Sequence, residues 1–401
     1  MATNISERQA TARVRLRCCV LSNPEELAEY VPSWNDLLFR AIHNEPSLSP
    51  LWMMNWWEIY GKVDGWKLRV GLFFEQDRLV GVAPLCWRWV WHRGILPLRQ
   101  YRPLAGDREV SDSIYSNYLG LVIERGREED LVDAFVKAFT EKTFGVWDEL
   151  LLPMMAGDQA QPRLLSEHFS RRGFVAELHD AAASGYTELP ATWEEYLAGL
   201  KGTNRRYVKK TLKDFDAWAE GTAQIQRVFS GREDLDEGIR VLHQLHAERW
   251  QADGQLGVFA SPRFSAFHER VMEQLWRNDS LELWWLAAHG KPVAAIYYIR
   301  WNDKLSCYQT GRTTQAPSHV RPTLALHLLC LRNAIAEGRR EFDTLANIAQ
   351  WKRQISLSIR PMVDLRVARP GIREWLRGRC EATIALVRPL RRWLKRKRSC
   401  H

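Results

Sequence analysis

Five residues in the second half of this 401-residue chain have side chains suited to moving protons: His246, Glu248, Tyr308, Asp343 and Lys352. A carboxylate or an imidazole takes the proton from an attacking amine or hydroxyl, directly or through a water. A phenol supplies one to a departing group. On this reading Glu248 or His246 is the base and Tyr308 the acid. Asp343 orients a partner residue or the acceptor, and Lys352 meets an anionic group or pairs with Asp343. Each has a plainer alternative. His243 and His246, three apart, also suit buried hydrogen-bonding histidines, and as a metal pair they lack a third ligand. A tyrosine in an alternating strand is more often core. The sequence shows no Ser-His-Asp or Cys-His pattern, no GxxxxGKS/T phosphate loop and no metal cluster, so no metal is expected.

The elements that must position these residues form one run. The apolar stretches 281–287, 293–299 and 305–310 are separated by short polar turns, His289-Gly290-Lys291-Pro292 and Asn302-Asp303. Such spacing predicts an antiparallel meander. Pro322 then opens a helical pattern through Leu324, Leu326, Leu328, Leu331 and Ile335, which Gly338 stops. A short strand over 341–345 leads to Trp351-Lys352. The first half echoes this order with strands at 66–74 and 79–85, a helix at 128–139 and a strand at 147–152. Trp147-Asp148 then stands where Phe342-Asp343 stands later. A polar loop is expected from Arg99 to Asp112. The expected fold class is α/β (α+β), as two tandem domains, 21–186 and 187–368, each a mixed, mostly antiparallel sheet flanked by helices. A flexible 1–20 precedes them and a basic amphipathic tail, 369–401, follows.

Between the halves, Thr192 and Glu195 form a capping box, and Gly202 breaks or bends the helix that follows. The next segment sets Arg205, Arg206, Lys209, Lys210 and Lys213 on one face. That face is either a solvated helix side or a grip for a phosphate-rich ligand, tRNA included. A helix over 234–250 places Ile239, Leu242, Leu245, His246 and Trp250 inward.

Much of the net charge of +9 lies in the tail, at Arg388, Arg391, Arg392, Lys395, Arg396, Lys397 and Arg398, so the basic balance describes the tail and not the body. Apolar residues between these arginines suit an anionic membrane surface, RNA, or packing on the body. Seven cysteines without C-x-x-C spacing, no apolar signal core and no run near the roughly 20 apolar residues of a membrane span point to the cytoplasm, with peripheral contact at the inner face of the membrane through the tail. Trp87, Trp89 and Trp91 alternate, so they share one strand face, either covered by a helix or domain, or open as an aromatic surface.

Leu242-His-Gln-Leu-His-Ala-Glu-Arg-Trp250, Gly257-Val-Phe-Ala260, Leu283-Trp-Trp-Leu286, Gly290-Lys-Pro-Val-Ala-Ala295, Tyr308-Gln-Thr-Gly311, Phe342-Asp343 and Trp351-Lys352 together resemble the BioF2-like acetyltransferase domain of the GNAT superfamily. That domain occurs in CelD-like proteins linked to cellulose or exopolysaccharide biosynthesis. The tandem arrangement also resembles FemAB-like aminoacyl transferases. The resemblance implies acetyl-CoA or another acyl-CoA as co-substrate, held where the third strand of the meander splays from the next. Gln309, Thr310 and Gly311 then flank the thioester, and the helix start near Thr323 and Leu324 meets the pyrophosphate with Arg312 and Arg321. It implies an N- or O-acyltransferase acting on an amino sugar or polysaccharide precursor. The alternatives are an aminoacyl-tRNA-dependent transferase and a non-catalytic scaffold of polysaccharide assembly. Two positions depart from the family pattern: Pro322-Thr323 replaces Pro-Gly, and Asn347-Ile348 replaces Gly-Asp.

Overall fold

The computed structural model describes residues 16–108, 112–229 and 231–382. The first half runs β1 (Arg17–Leu21), α1 (Pro24–Glu29), α2 (Val31–Arg40), α3 (Pro50–Trp56), β2 (Lys67–Glu75), β3 (Arg78–His92), β4 (Leu96–Pro103), β5 (Val122–Ile123), α4 (Glu128–Thr140), β6 (Glu149–Ala156), α5 (Ala160–Arg171) and β7 (Val175–Glu188). The second runs α6 (Trp193–Gly199), α7 (Gly202–Ala219), β8 (Gln224–Arg227), α8 (Arg232–Ala252), α9 (Pro262–Arg277), β9 (Leu281–Ala288), β10 (Lys291–Trp301), β11 (Lys304–Arg312), α10 (Pro322–Ala336), β12 (Glu341–Asp343), α11 (Gln350–Ile355) and β13 (Ser358–Ala368).

Local chemistry sets several of these boundaries. The side chains of Asn23, Ser49, Thr192 and Ser261 each accept an amide of the first turn that follows, and Pro24, Pro50, Pro262 and Pro322 occupy first turns where no amide is needed. Glu195 accepts the N–H of Ala191, completing a box one residue upstream of the cap. Gly202 begins α7 rather than bending one helix. Gly338, at φ 68°, follows the end of α10.

The meander forms as β9, β10 and β11, and it is part of one thirteen-stranded sheet. The strand order is β1-β2-β3-β4-β6-β13-β7-β12-β11-β10-β9-β8, with β5 paired to β3. Within each half, two parallel strands close the pattern: β4 with β6, and β11 with β12. The last strand of each half is exchanged. β7 pairs with β12 of the second half, and β13 pairs with β6 of the first. The two exchanged strands run antiparallel beside each other from Ser358–Tyr186 to Ala368–Val175.

Several expectations change. The boundary at 186 falls inside β7, so the halves interlock and are not beads on a chain. Residues 17–20, assigned to a flexible terminus, pair together with Leu21 as an edge strand with β2. Residues 99–103, assigned to a polar loop, belong to β4. Trp147-Asp148 is not the counterpart of Phe342-Asp343. The parallel registers set Glu149-Leu150 against Gln100-Tyr101, as Glu341-Phe342 is set against Lys304-Leu305, so Leu150, three residues past Trp147, takes the place of Phe342. The strand 358–368 had no counterpart in the pattern reading. Of the tail, only residues up to 382 are described.

Two interfaces lock the halves. Apolar side chains of α2 and α3 share a core with α8 and α9, where Trp52 meets Phe267 edge-on at 5.0 Å. Asn55 donates to Gln274 Oε1 at 2.8 Å, and Arg263 forks onto Asp64 at 2.9 Å on both arms. The second interface is polar and buried. Lys304 donates to both oxygens of Glu45 at 2.6 and 2.5 Å, and Arg360 of β13 grips Glu341 at 3.0 and 3.2 Å. Asp343, fully buried, accepts from Tyr118 Oη at 2.7 Å, Ser184 Oγ at 2.5 Å and the Leu345 amide at 2.7 Å. It also lies 3.7 Å from Lys304 Nζ and 3.5 Å from Arg360 Nη1.

Removing one member of a buried charge network strands its partners. Asp343→Asn should therefore destabilise the fold by about 3–5 kcal/mol, read from urea unfolding at neutral pH. A loss below about 1 kcal/mol, the scale of a surface pair, would show that the cluster does not hold the halves.

Candidate active site

The site begins with one extra residue. Along β10, Tyr298 faces Cys307 and Tyr297 faces Gln309, so Tyr308 is a bulge in β11. Parallel pairing of β11 with β12 stops just before it, at Ser306–Asp343. Beyond that point the strands part around a cleft of about 1080 Å³. One wall is Cys307–Thr310 with Arg312, and the other is Thr344–Asn347 with Trp351 and Lys352. The start of α10 closes one end, and Tyr207, Arg249 and Trp250 stand at the rim.

The residues expected at a donor site converge here. Gln309, Thr310, Arg312, Arg321, Thr323 and Leu324 all line the cleft. Gly311 does not. A Cβ on it would lie 2.6 Å from the His246 nitrogen, so β11 meets α8 backbone to backbone and only glycine fits. No side chain caps α10. Its first-turn amides and positive dipole end are therefore available to an anion. The Arg321 guanidinium rests 5.1 Å from the Tyr207 ring.

The expected acid–base residues divide. Tyr308 and Lys352 line the cleft; Glu248, His246 and Asp343 do not. One oxygen of Glu248 accepts the Thr314 amide at 2.6 Å and the hydroxyls of Thr313 and Thr314 at 2.8 and 2.9 Å. Burial alone raises its pKa, but these bonds and Arg312 outweigh it and hold the carboxyl below its ordinary range. Glu248 is thus a clamp on the loop leaving β11. His246 is buried and its Nε2 accepts the Trp250 indole N–H at 2.9 Å. Burial, Arg249 and His243 push its pKa down to about 4. Asp343 is occupied in the junction described above.

Lys352 does not pair with Asp343. Its ammonium donates to the carbonyls of Thr344, Leu345 and Ala346 at 2.6, 3.2 and 2.9 Å, which uses all three protons. Those carbonyls converge because Leu345 and Asn347 adopt left-handed backbone, φ 55° and 66°. Asn347 suits this left-handed backbone, since asparagine tolerates it best after glycine. Burial holds the Tyr308 phenol well above its ordinary pKa, so it stays protonated.

The sequence reading missed three contributors. Tyr115 and Asn117 come from the first half, and Asn117 Oδ1 accepts the Ala346 amide at 3.1 Å. In the first half itself the matching space is filled. Gly106 packs against Pro153, and the Leu119 amide bonds the Met154 carbonyl beyond the last β4–β6 pair. The third is His327, a lone imidazole in the apolar α10, which was its only signal. It lines the cleft, stacks on Trp351 at 4.6 Å, and shares a 2.6 Å hydrogen bond between Nδ1 and Tyr298 Oη. Its Nε2 is buried without a partner among the described residues.

Burial and Lys352 push the His327 pKa down to about 3. Below about pH 6.5 the unfolded chain therefore binds a proton that the folded chain refuses. Stability then falls as pH drops from that value toward the folded pKa. At pH 5 this histidine alone should cost about 2 kcal/mol relative to neutral pH. Urea unfolding of wild type and His327→Phe at pH 7 and pH 5 measures it: the variant should lose about 2 kcal/mol less across the interval. Equal losses would show an imidazole that titrates normally.

Comparison with known proteins agrees with this geometry. Residues 203–353 match the family model described as an acetyltransferase (GNAT) domain. No curated protein matches the chain in sequence. Among solved structures, FemX superposes with a TM-score of 0.57 at 11% identity, over 84% of this chain and 95% of that one. The C-terminal domain of a putative lysylphosphatidylglycerol synthetase from Agrobacterium fabrum gives 0.50 at 12%, over 90% and 95%. A conserved protein of unknown function from Bacteroides thetaiotaomicron also gives 0.50 at 12%, over 85% and 97%. Residues 203–353 are thus similar to the acetyltransferase (GNAT) domain model, within an overall fold that the chain shares with FemX.

Proposed function

We propose that the second-half cleft binds an acyl-CoA and transfers its acyl group to an amine or hydroxyl, with an amino sugar or other polysaccharide precursor as the acceptor. The observation that carries this reading is the Tyr308 bulge, which parts β11 from β12 in front of the uncapped start of α10. Past Ser306 the free edge of β11 has no strand partner, so its amides can hold the thioester carbonyl as charge builds on oxygen. The acceptor attacks that carbon and the C–S bond breaks; Tyr308 gives its proton to the departing thiolate and takes up the one that the acceptor loses, directly or through water, so the phenol ends un-ionised as it began. The cleft lining contains Arg249, Arg312, Arg321 and Lys352 and, among the described residues, no carboxylate. That balance suits a donor rich in phosphate.

A second reading uses the same cleft with an aminoacyl-tRNA. It is favoured by α7, where Arg206, Lys209, Lys210 and Lys213 are exposed beside Tyr207 at the cleft rim. Arg205 is not part of that face, because it donates to the carbonyls of Ala198 and Leu200 at the end of α6. The FemX fold is consistent with either donor.

Thermal unfolding separates the readings. Acetyl-CoA at about 100 times its Kd should stabilise the protein by about 2.7 kcal/mol. Thr323→Glu places a carboxylate on the pyrophosphate end of the cleft. It should abolish that gain without lowering the unliganded Tm, since a negative charge favours a helix start. Absence of stabilisation by any acyl-CoA, with tRNA binding that weakens steeply in salt, would move the second reading to first.

A further inference from the structure

After β13 the chain enters a helix, residues 372–382, that is inverted relative to an ordinary surface helix. Arg373, Glu374 and Glu381 face the protein. Arg373 pairs with Asp148 at 2.7 Å, and Glu374 takes Arg366 at 3.1 and 2.6 Å. Glu381 takes Arg93 at 3.0 and 3.1 Å. Its apolar residues face outward at helical spacing: Ile372 is 76% exposed, Trp375 59% and Leu376 38%. The next position on this stripe is Arg379, whose guanidinium lies 5.2 Å from the Trp375 ring.

The helix lies along the β3–β4 hairpin, which exposes a second apolar set. Trp91 is 64% exposed, Ile95 74% and Trp89 49%. Arg99 and Arg373 flank Trp89 at 5.2 and 5.7 Å, and the latter links the two patches. Of the three alternating tryptophans, only Trp87 is largely covered, stacked on Tyr101 at 6.1 Å. The outward face therefore combines apolar side chains, indoles and guanidinium groups.

We propose that this face seats the protein on an anionic lipid bilayer. Indole and guanidinium side chains together are the composition of an interfacial surface, with rings at headgroup level and cations toward lipid phosphate. The sequence past Ala382 keeps the pattern, with Ile384, Leu386, Val387, Leu390, Trp393 and Leu394 among seven lysines and arginines between 388 and 398. Each cation near an anionic leaflet adds about 1 kcal/mol. A second copy is a poorer occupant, because it presents the same cations to the same cations. No described helix is long and apolar enough to cross a membrane, so the contact lies on the surface.

The full chain is tested by flotation with vesicles of phosphatidylcholine, with and without about 30% phosphatidylglycerol. Wild type should float only with the anionic vesicles. Trp91→Ser combined with Trp375→Ser should weaken binding at least about tenfold while melting like wild type, since both side chains point to solvent. Ile95→Glu, at the hairpin end, should act in the same direction and checks against a folding defect. The proposal fails if wild type stays with the unbound fraction, or if the double variant floats as well as wild type, which would leave charge alone as the cause. It also fails if wild type sediments as a dimer that the double variant disperses, because a second copy would then own the face.

Discussion

A buried group of three carboxylates and two cations determines how the halves of this protein meet. Glu45 and Lys304 join opposite halves, and Arg360 brings the exchanged strand onto Glu341 and Asp343. Removing such charges from water is expensive, and only dense mutual hydrogen bonding offsets the cost. Each partner therefore restricts the others to one arrangement. Tyr118 and Ser184 extend that restriction to the segment from the first half and to β7. Asp343 ends the last parallel pair before the strands separate, so the cluster also fixes where the cleft begins.

From that fixed point the two halves diverge in use. Both contain a pair of parallel strands that separate after a few residues. In the first half the opening is occupied by its own chain around Gly106 and Leu119. In the second it stays open, because the Tyr308 bulge turns β11 aside and Lys352 gathers three carbonyls of the opposite wall. The filled half still contributes, since the segment that plugs it continues to Tyr115 and Asn117 on the other cleft's lining. One half has the opening and the other helps to shape it.

The fold was legible wherever the pattern was local. Apolar runs with short turns marked β9, β10 and β11, and Pro322 and Gly338 bracketed α10, because those signals depend on neighbours in the chain. β13 was not legible: Pro361 interrupts its alternation, and its partners lie some 170 to 220 residues away in the sequence. One wall of the cleft was readable as a segment, from Gln309 to Leu324. The proton-moving residues were not, because direction decides their use. Glu248 points at Thr313 and Thr314, His246 at Trp250, and Lys352 at carbonyls rather than at Asp343. Spacing reports the residues available to a site, but only the packed chain shows which of them have spare hydrogen-bonding capacity.

The exchanged strands also bear on how the protein comes to be made. During vectorial synthesis every element of the first half leaves the ribosome before β13 exists. Until β13 arrives, β6 has an open edge and β7 lacks its longest pairing. The nascent first half must therefore wait with an unpaired strand edge through translation of the whole second half. An interval of that kind leaves a strand edge open to mispairing until the chain is nearly complete.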